Sequence, residues 1–210
     1  MLKPTMMGGV ISVSLLLLVG CGAGEVVPLD LRAEEASTAK KAARVKVAVG
    51  IFEDSRPATD AGTDKARIGR RTHLGGGGTY FTVKGGQLGP AVSKVMADYL
   101  RMRGLDAWVV TPTEPRTPDI QITGRVREYQ ASAISHVGWT ELTVRTKVDV
   151  EAEDLADQSR VRMTLNGQGQ DVKVVFDTQD LEQLLTEAMN DSLKEFLQDT
   201  RVADRMMRLK

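Results

Sequence analysis

The protein has 210 residues, with 28 basic and 28 acidic side chains, two histidines and one cysteine. A balanced charge argues against binding to nucleic acid, and a single cysteine has no partner for an intramolecular disulfide. Because only 4% of the residues are aromatic, the core must be built mainly from Val, Leu, Ile and Met.

The first residues have the form of a bacterial lipoprotein signal. Lys3 precedes an uncharged run, residues 8–19, which has the length of a signal-peptide apolar region and is short for a membrane span. Residues 18–21 resemble the lipobox, in which a small residue precedes a lipidated cysteine. This resemblance implies that residues 1–20 are removed and that Cys21 carries the lipid. An ordinary secretory signal or a short uncut anchor are the alternatives.

The residue after the cysteine bears on the choice of membrane. It is Gly22 and not Asp, which by resemblance to enterobacterial sorting predicts the periplasmic face of the outer membrane. Since Lys3 is the only charged residue of the signal, the processed protein would keep 27 basic and 28 acidic groups. No other apolar segment is long enough to cross a bilayer.

Residues 21–43 are predicted to form the lipidated N-terminus and a flexible tether. About 23 flexible residues span on the order of 25 Å. Within this segment VVPLDL, residues 26–31, carries enough apolar residues for a short strand. Pro28 would restrict that strand to the edge of a sheet.

Residues 44–200 are predicted to form one periplasmic domain, followed by a basic tail at 201–210. A first strand is indicated by alternation at Val45, Val47, Val49 and Ile51. Apolar residues then recur at helical spacing, with Pro90 suited to the first turn and Gly104 to the position after the last turn. A short apolar strand follows at residues 107–110.

The middle of the domain reads as a meander of amphipathic strands. Alternation recurs from Ile120, from Leu142 and from Val161, and residues 171–176 suggest one more strand. The outward residues of the second of these are Glu141, Thr143, Arg145, Lys147, Asp149 and Glu151. Such alternation is typical of an antiparallel sheet with one solvated face.

A last helix is predicted after the meander. Thr178 can cap it, and its apolar stripe comprises Leu181, Leu184, Leu185, Ala188, Met189, Leu193, Phe196 and Leu197. The order strand, helix, strand, meander, helix predicts a two-layer α+β domain, with a mostly antiparallel sheet and two helices on one face.

The glycine stretch at residues 74–79, Leu-Gly-Gly-Gly-Gly-Thr, is the best candidate for a ligand loop. Glycine lets backbone N–H groups face an anion, and the preceding Arg70, Arg71 and His73 add positive charge. A nucleotide-binding P-loop also needs Gly-Lys-Ser or Gly-Lys-Thr directly between a strand and a helix, and the sequence contains neither. The favoured interpretation is a mobile loop or a β-hairpin whose glycines satisfy the turn geometry.

Neither a catalytic centre nor a metal site is predicted. His73 and His136 are the only histidines, and the one cysteine is assigned to the lipid, so a His/Cys metal site has too few ligands. No nucleophile-elbow motif accompanies Ser135 and His136. We therefore predict a protein that is not an enzyme and that uses no cofactor.

Aromatic residues near the loops are the predicted binding residues. Tyr80 and Phe81 follow the glycines, and Trp139 lies beside a loop with Ile134 and Val137. Aromatic side chains often contribute most of the binding energy of an interface. Trp139 has a second interpretation, in which it pins its loop to the core. The charged face of the middle strand is by contrast a poor apolar interface.

Several motifs resemble the YajG-like family of bacterial lipoproteins. They are VGIFEDSRP, IGRR, the glycine stretch, VSKVMADYLRMRG, PDIQITGRVREY and TKVDVEAE, within residues 45–199. The resemblance implies a domain tethered to the outer membrane, with no established enzyme activity and no catalytic residues. In the first motif we expect a structural role, in which Asp54 bonds amides of the turn and Arg56 pairs with a carboxylate.

Two functions follow from these observations. The first is an interaction or scaffold lipoprotein that is anchored by its lipid and binds another envelope protein. The alternative is an accessory for the handling or transport of lipid or lipopolysaccharide. A lipid carrier needs an apolar cavity, and the polar alternate faces of the strands argue against one.

Overall fold

The computed structural model describes residues 25–33, 45–57, 64–111, 116–203 and 206–209. The predicted signal, Cys21 and most of the predicted tether lie outside these residues. The elements are β1 (Val26–Leu29), β2 (Lys46–Val49), β3 (Glu53–Asp54), β4 (Arg67–Thr72), β5 (Gly78–Val83), α1 (Leu88–Met102), β6 (Asp106–Val109), β7 (Ile120–His136), β8 (Trp139–Asp154), β9 (Arg160–Lys173), α2 (Thr178–Asp199), β10 (Thr200–Ala203) and β11 (Met206–Leu209).

Strand β7 organises the sheet. On one side it pairs antiparallel with β8 along its whole length, and β8 pairs antiparallel with β9. On its other side it pairs parallel with three short strands in succession, β2, β3 and β4. Beyond these, β6 joins β2, while β5 and then β1 join β4. The nine strands therefore form one mixed sheet whose antiparallel part is the predicted meander, and the α+β fold class is confirmed.

Both helices cover one face of this sheet. Helix α2 packs on β8 and β9, helix α1 packs on β2, β3 and β6, and the two helices contact each other. The inward side chains of β8 are buried beneath α2, whereas none of its predicted outward residues is buried. The alternation of apolar and polar residues in β8 thus assigned its two faces correctly. Neither helix of the described part is both long and apolar enough to cross a membrane.

The glycines of β9 explain why this strand was predicted as two. An added Cβ at Gly167 would lie 2.4 Å from the Ala188 carbonyl oxygen, and one at Gly169 would lie 2.7 Å from Leu184 Cδ1. Only glycine leaves room for α2 to approach the strand this closely. The same glycines interrupt the apolar pattern, so the sequence suggested a gap where the strand is continuous.

The first predicted strand ends earlier than its pattern suggests. Val45, Val47 and Val49 are buried, but Ile51 is 54% exposed and Phe52 is buried instead. The Phe52 amide donates a hydrogen bond to Ser93 Oγ of α1 at 2.8 Å. Contact with the helix therefore turns Phe52 inward and interrupts the alternation.

The ends of the helices follow their capping residues. Gly104 has φ +89° and ends α1, as predicted. At the start of α2, Asp177 Oδ1 accepts a hydrogen bond from the Gln179 amide at 3.0 Å. The cap is therefore Asp177, and Thr178, the predicted cap, is the first residue of the helix.

The predicted edge strand in residues 26–31 is confirmed. Strand β1 pairs parallel with β5 at the end of the sheet order, and Leu29 is fully buried. Part of the predicted tether therefore belongs to the folded domain. The glycine stretch forms the turn of a β4–β5 hairpin, and β10 and β11 form a two-stranded sheet at the predicted tail.

Candidate functional site

The face of the sheet opposite the helices carries paired charges. Arg127 Nε lies 2.7 Å from Asp149, Arg162 Nε lies 2.9 Å from Glu151, and an Arg160 nitrogen lies 3.0 Å from Glu153. The hydrogen bond from Arg127 is the main reason that the pKa of Asp149 lies below its ordinary value. We call this surface the open face.

A pocket of about 690 Å³ opens on this face where β4, β5 and β7 meet. It is lined by Arg56, Pro57, Arg67, Ile68, Gly69, Arg70, Tyr80, Arg127, Glu128, Tyr129, Gln130, Ala131 and Ser132. Four arginines and one glutamate are among these residues, and three of the arginines, Arg56, Arg67 and Arg127, pair with Asp54, Asp64 and Asp149. The positive charge that the pocket can offer to a ligand is therefore that of Arg70. Guanidinium groups stay protonated at any physiological pH, so the pocket suits a carboxylate or a phosphate group. We call it the arginine pocket.

Tyr80 forms one wall of the arginine pocket. The Arg67 guanidinium carbon lies 4.0 Å from the centre of the Tyr80 ring, and Arg67 Nε also pairs with Asp64 at 3.2 Å. The cation over the ring holds the aromatic wall in place. Of the predicted binding residues, Tyr80 is the one that lines this pocket.

Arg70 is the arginine of the pocket whose guanidinium group is available to bind a ligand. It is exposed and makes no ion pair or side-chain hydrogen bond with any residue that the structure describes. Its position depends on Gly69, where an added Cβ would lie only 1.7 Å from the Ala131 carbonyl oxygen. Glycine thus allows β4 to pair closely with β7 and sets Arg70 beside Ser132.

The arginines of the pocket were not predicted as binding residues, although the sequence carried a signal for them. The motif IGRR contributed to a family resemblance, and Arg70 and Arg71 were considered only as cations that flank the glycine stretch. Neither residue was assigned to a strand. In a strand, neighbouring side chains point to opposite faces. Arg70 accordingly lies on the open face, while Arg71 lies over the ring of Phe176 at 4.3 Å.

Arg56 belongs to the floor of the pocket and is fully engaged. It donates hydrogen bonds to both carboxylate oxygens of Asp54, at 2.9 and 2.8 Å. It also donates to the carbonyl oxygens of Lys65, Arg67 and Tyr129 at 2.6, 3.0 and 3.3 Å. These contacts confirm the expected structural role of the motif, and the carboxylate partner of Arg56 is Asp54 itself.

Asp54 also stabilises the turn that leaves the sheet. Its Oδ1 accepts a hydrogen bond from the Arg56 amide at 3.3 Å, as expected. Burial acts to raise the pKa of Asp54, but the hydrogen bonds and charge of Arg56 outweigh it, and the net pKa lies below the ordinary 3.8. Asp54 is therefore an ionised structural partner and not an acid or base poised for catalysis.

Phe81 does not belong to a binding surface, which corrects the sequence interpretation. It is 1% exposed and packs in the core, with its ring centre 6.2 Å from that of Phe176. The structure places Tyr80 and Phe81 in β5, not in a loop. Because successive residues of a strand face opposite sides, one of the two had to be buried.

Trp139 lies at the start of β8, outside the arginine pocket. It is 38% exposed, and one of its faces stacks on His136 with ring centres 3.9 Å apart. Ile134 and Val137 nearby are 42% and 81% exposed. Of the three predicted binding residues, Tyr80 therefore lines the arginine pocket, Phe81 lies in the core and Trp139 belongs to an exposed apolar cluster.

The glycine stretch uses its backbone groups in the hairpin turn. The Gly76 amide donates to the His73 carbonyl oxygen at 3.1 Å, and the His73 amide donates to the Gly77 carbonyl oxygen at 3.4 Å. Gly76 and Gly77 have φ values of +89° and +76°, which favour glycine. The turn geometry therefore accounts for these two glycines.

We expect the glycine turn to bind no nucleotide or phosphate, because the P-loop lysine and its strand–helix setting are absent. Calorimetric titration of the protein with nucleotides and with inorganic phosphate measures this. Micromolar binding that is lost when Gly76 and Gly77 are both replaced by alanine contradicts the prediction.

The structure shows no cluster of three or more His, Cys, Asp or Glu side chains that could hold a metal ion, in the residues that it describes.

No protein-family model matches the sequence, and no curated protein matches it. Among solved structures, the chain is similar to a Xanthomonas campestris protein of the family DUF330, with 12% identity and a TM-score of 0.47, over 82% of this chain and 92% of that one. A second similar structure is of an uncharacterized protein, with 8% identity and a TM-score of 0.47, over 83% of this chain and 97% of that one. Likenesses of this strength assign no activity, ligand or family to this protein.

Proposed function

We propose that the protein is a non-enzymatic lipoprotein of the bacterial cell envelope that binds another envelope protein through the arginine pocket. Lipid on Cys21 holds it at the periplasmic face of the outer membrane. The observation that carries the binding role is Arg70, which has no ion pair among the described residues, whereas the other three arginines of the pocket each pair with an aspartate. The lipobox at residues 18–21 and the YajG-like motifs support the anchored location.

The chemistry of the pocket favours an acidic group of a partner protein. Arginine presents a planar fork of N–H donors that can bind both oxygens of a carboxylate. Tyr80 adds an aromatic wall against which the stem of an acidic side chain can pack. An aspartate, a glutamate or the C-terminal carboxylate of a protein would meet both features.

Lipid or lipopolysaccharide handling is the second candidate, because the same arginines would also accept a phosphate. Against it stands the form of the pocket, which is open and lies on a charged face. Acyl chains need an enclosed apolar cavity. The arginine pocket would therefore recognise at most the phosphorylated headgroup of such a molecule.

Replacing Cys21 by serine is expected to leave an unprocessed precursor that carries no lipid, because serine lacks the nucleophilic thiol. Labelling cells with palmitate and separating inner from outer membranes tests processing, lipid and location together. A variant that is still cut after Gly20, with no label on the wild-type protein, would show that the lipoprotein assignment is wrong.

Replacing Arg70 by glutamate is expected to weaken binding of the partner roughly tenfold or more, since a hydrogen bond to a charged group contributes about 1.5–3 kcal/mol. The measurement is recovery of cross-linked partners from membranes solubilised in mild detergent. Arg162→Glu is the control, because it reverses a charge of the open face outside the pocket.

Three outcomes of that experiment are informative. Loss of a protein partner in Arg70→Glu alone supports the proposed function. Loss of a co-purified phospholipid or lipopolysaccharide in Arg70→Glu alone favours the second candidate. Equal loss in both variants shows that the pocket is not the binding site.

A further inference from the structure

Three segments of the protein meet at one end of the sheet. Strand β7 ends at His136, and the turn at residues 137–138 leads into β8. Strand β4 is parallel to β7, with Thr72 opposite Ile134, so the glycine turn lies at the same end. Strand β9 is antiparallel to β8 and pairs Val172 with Glu141, so residues 174–175 emerge there too. We call this end the sheet tip.

The sheet tip is unusually apolar for an exposed surface. Seven of the eleven large apolar residues that are exposed in the described part lie there, and they are Leu74, Ile134, Val137, Trp139, Val172, Val174 and Val175. Val137, Val174 and Val175 are 81%, 82% and 79% exposed. Single exposed apolar residues need no explanation, but a concentration of them marks a contact surface.

The N-terminal part of the protein enters the domain at this same end. Strand β1 is parallel to β5, which starts from the glycine turn. The Tyr80 amide donates to the Glu25 carbonyl oxygen at 2.7 Å, and Thr79 Oγ1 donates to the Glu25 carboxylate at 3.2 Å. Glu25 therefore lies beside Thr79, near the sheet tip.

The short stretch between Cys21 and Glu25 limits how the domain can face a membrane. Four residues reach at most about 14 Å when fully extended. Glu25 lies beside Thr79, Thr79 pairs with Arg71, and Arg71 pairs with Ala133 of β7. Glu25 is therefore at the same height along the sheet as Ala133. From Ala133 to Val137 at the sheet tip is four residues, or roughly 13 Å. A lipid on Cys21 is therefore within reach of a bilayer that the sheet tip faces.

We propose that the sheet tip is a membrane-seating surface, whose apolar turns enter the headgroup region of the bilayer that holds the lipid anchor. The inference rests on the proposed lipidation of Cys21. The apolar faces of interfacial amphipathic helices enter this region to a depth of about 5–10 Å, and Trp is enriched there. The occupant of the sheet tip is thus a lipid surface, and the arginine pocket is left free for a partner.

The two tryptophans of the protein provide a matched test. Trp139 lies at the sheet tip, whereas Trp108 is in β6. Trp108 pairs with Ala48 of β2, and Ala48 pairs with Gln121 of β7, so Trp108 is at the height of Gln121 along the sheet. Along β7 that position is roughly 45–50 Å from His136 at about 3.3 Å per residue. Trp108→Phe leaves only Trp139 as a fluorophore, and Trp139→Phe leaves only Trp108.

The experiment uses the full lipidated protein in phosphatidylcholine vesicles with brominated acyl chains, which quench nearby tryptophan. We expect the fluorescence of Trp139 to be quenched and that of Trp108 to be unchanged. Replacing both Val137 and Val174 by aspartate in the Trp108→Phe variant should abolish the quenching, while the protein still floats with the vesicles through its lipid.

The outcomes separate this inference from the proposed function. A wild-type protein that does not float with vesicles overturns the lipid anchor and the seating together. A protein that floats with Trp139 unquenched, or with both tryptophans quenched equally, overturns the seating alone. Cross-links from the sheet tip to another protein, with Trp139 unquenched, would identify a protein as its occupant instead.

Discussion

Replacing Arg56 by alanine is expected to destabilise the domain by on the order of 3 kcal/mol, because it leaves a largely buried carboxylate without its partner. The side chains of Arg56 and Asp54 are 9% and 16% exposed. The same change removes the donor to three carbonyl oxygens, those of Lys65, Arg67 and Tyr129. Urea denaturation followed by circular dichroism measures the loss.

Arg127→Ala is the matched control for this prediction. It breaks the ion pair with Asp149, whose partners are 46% and 37% exposed. Exposed pairs contribute about 0–1 kcal/mol, so this variant should lose little stability. Equal losses in the two variants would show that burial of the Arg56–Asp54 pair has no energetic importance.

The Arg56–Asp54 pair also predicts a dependence of stability on pH. The pKa of Asp54 lies below the ordinary 3.8 in the folded protein. A carboxylate whose pKa is lower in the folded state stabilises the protein above its unfolded pKa, and this contribution is lost as the pH falls through the folded pKa. The difference in unfolding free energy between wild type and Arg56→Ala should therefore shrink below about pH 3.8.

Replacing Phe81 by alanine is the second change with a large expected effect, a loss of about 3–5 kcal/mol of stability. Phe81 is 1% exposed and belongs to the hydrophobic core. Truncation leaves a cavity beside Phe176, which the surrounding strands can fill only in part. Thermal and chemical denaturation both measure the change.

The adjacent residue is the control. Tyr80→Ala removes the ring beneath Arg67 on the open face, a contact that contributes about 0.5–1 kcal/mol at exposed sites. We expect this variant to stay folded and to lose affinity for the partner of the arginine pocket. A large loss of stability in Tyr80→Ala with little in Phe81→Ala would reverse the two assignments.

Both predictions concern the support of the arginine pocket. Arg56 ties β3 to the segment before β4 and to β7, and Phe81 holds β5 against the core. Arg70 and Tyr80 project from β4 and β5 into the pocket. Changes beneath the pocket should therefore reduce stability and binding together, whereas Arg70→Glu should reduce binding alone.

The periodicity of the sequence determined the elements whose contacts repeat along the backbone. Helix α1 and its end at Gly104 were predicted because apolar residues recur at helical spacing and because glycine favours the left-handed region. The two faces of β8 followed from strict alternation between polar and apolar residues. Pro28 likewise limited β1 to an edge, since proline has no amide to donate.

The tertiary structure alone decided which strands are neighbours and which residues share a site. The parallel pairing of β4 with β7 depends on Gly69, and nothing local to residue 69 identifies Ala131 as its neighbour. A register shift between Val126 and Glu128 exchanges the two faces of β7, so the alternation before it does not predict the face after it. The arginine pocket arises from both features.

The sheet tip has the same origin. Leu74, Val137 and Val174 are far apart in sequence, and each alone resembles an ordinary exposed residue of a turn. They become one surface because β4, β7 and β9 run in the same direction and end together. Periodicity shows which side of a strand or helix is buried and which is exposed to solvent. It does not identify the distant segments that pack against or lie beside that strand or helix, and here those distant segments form the site.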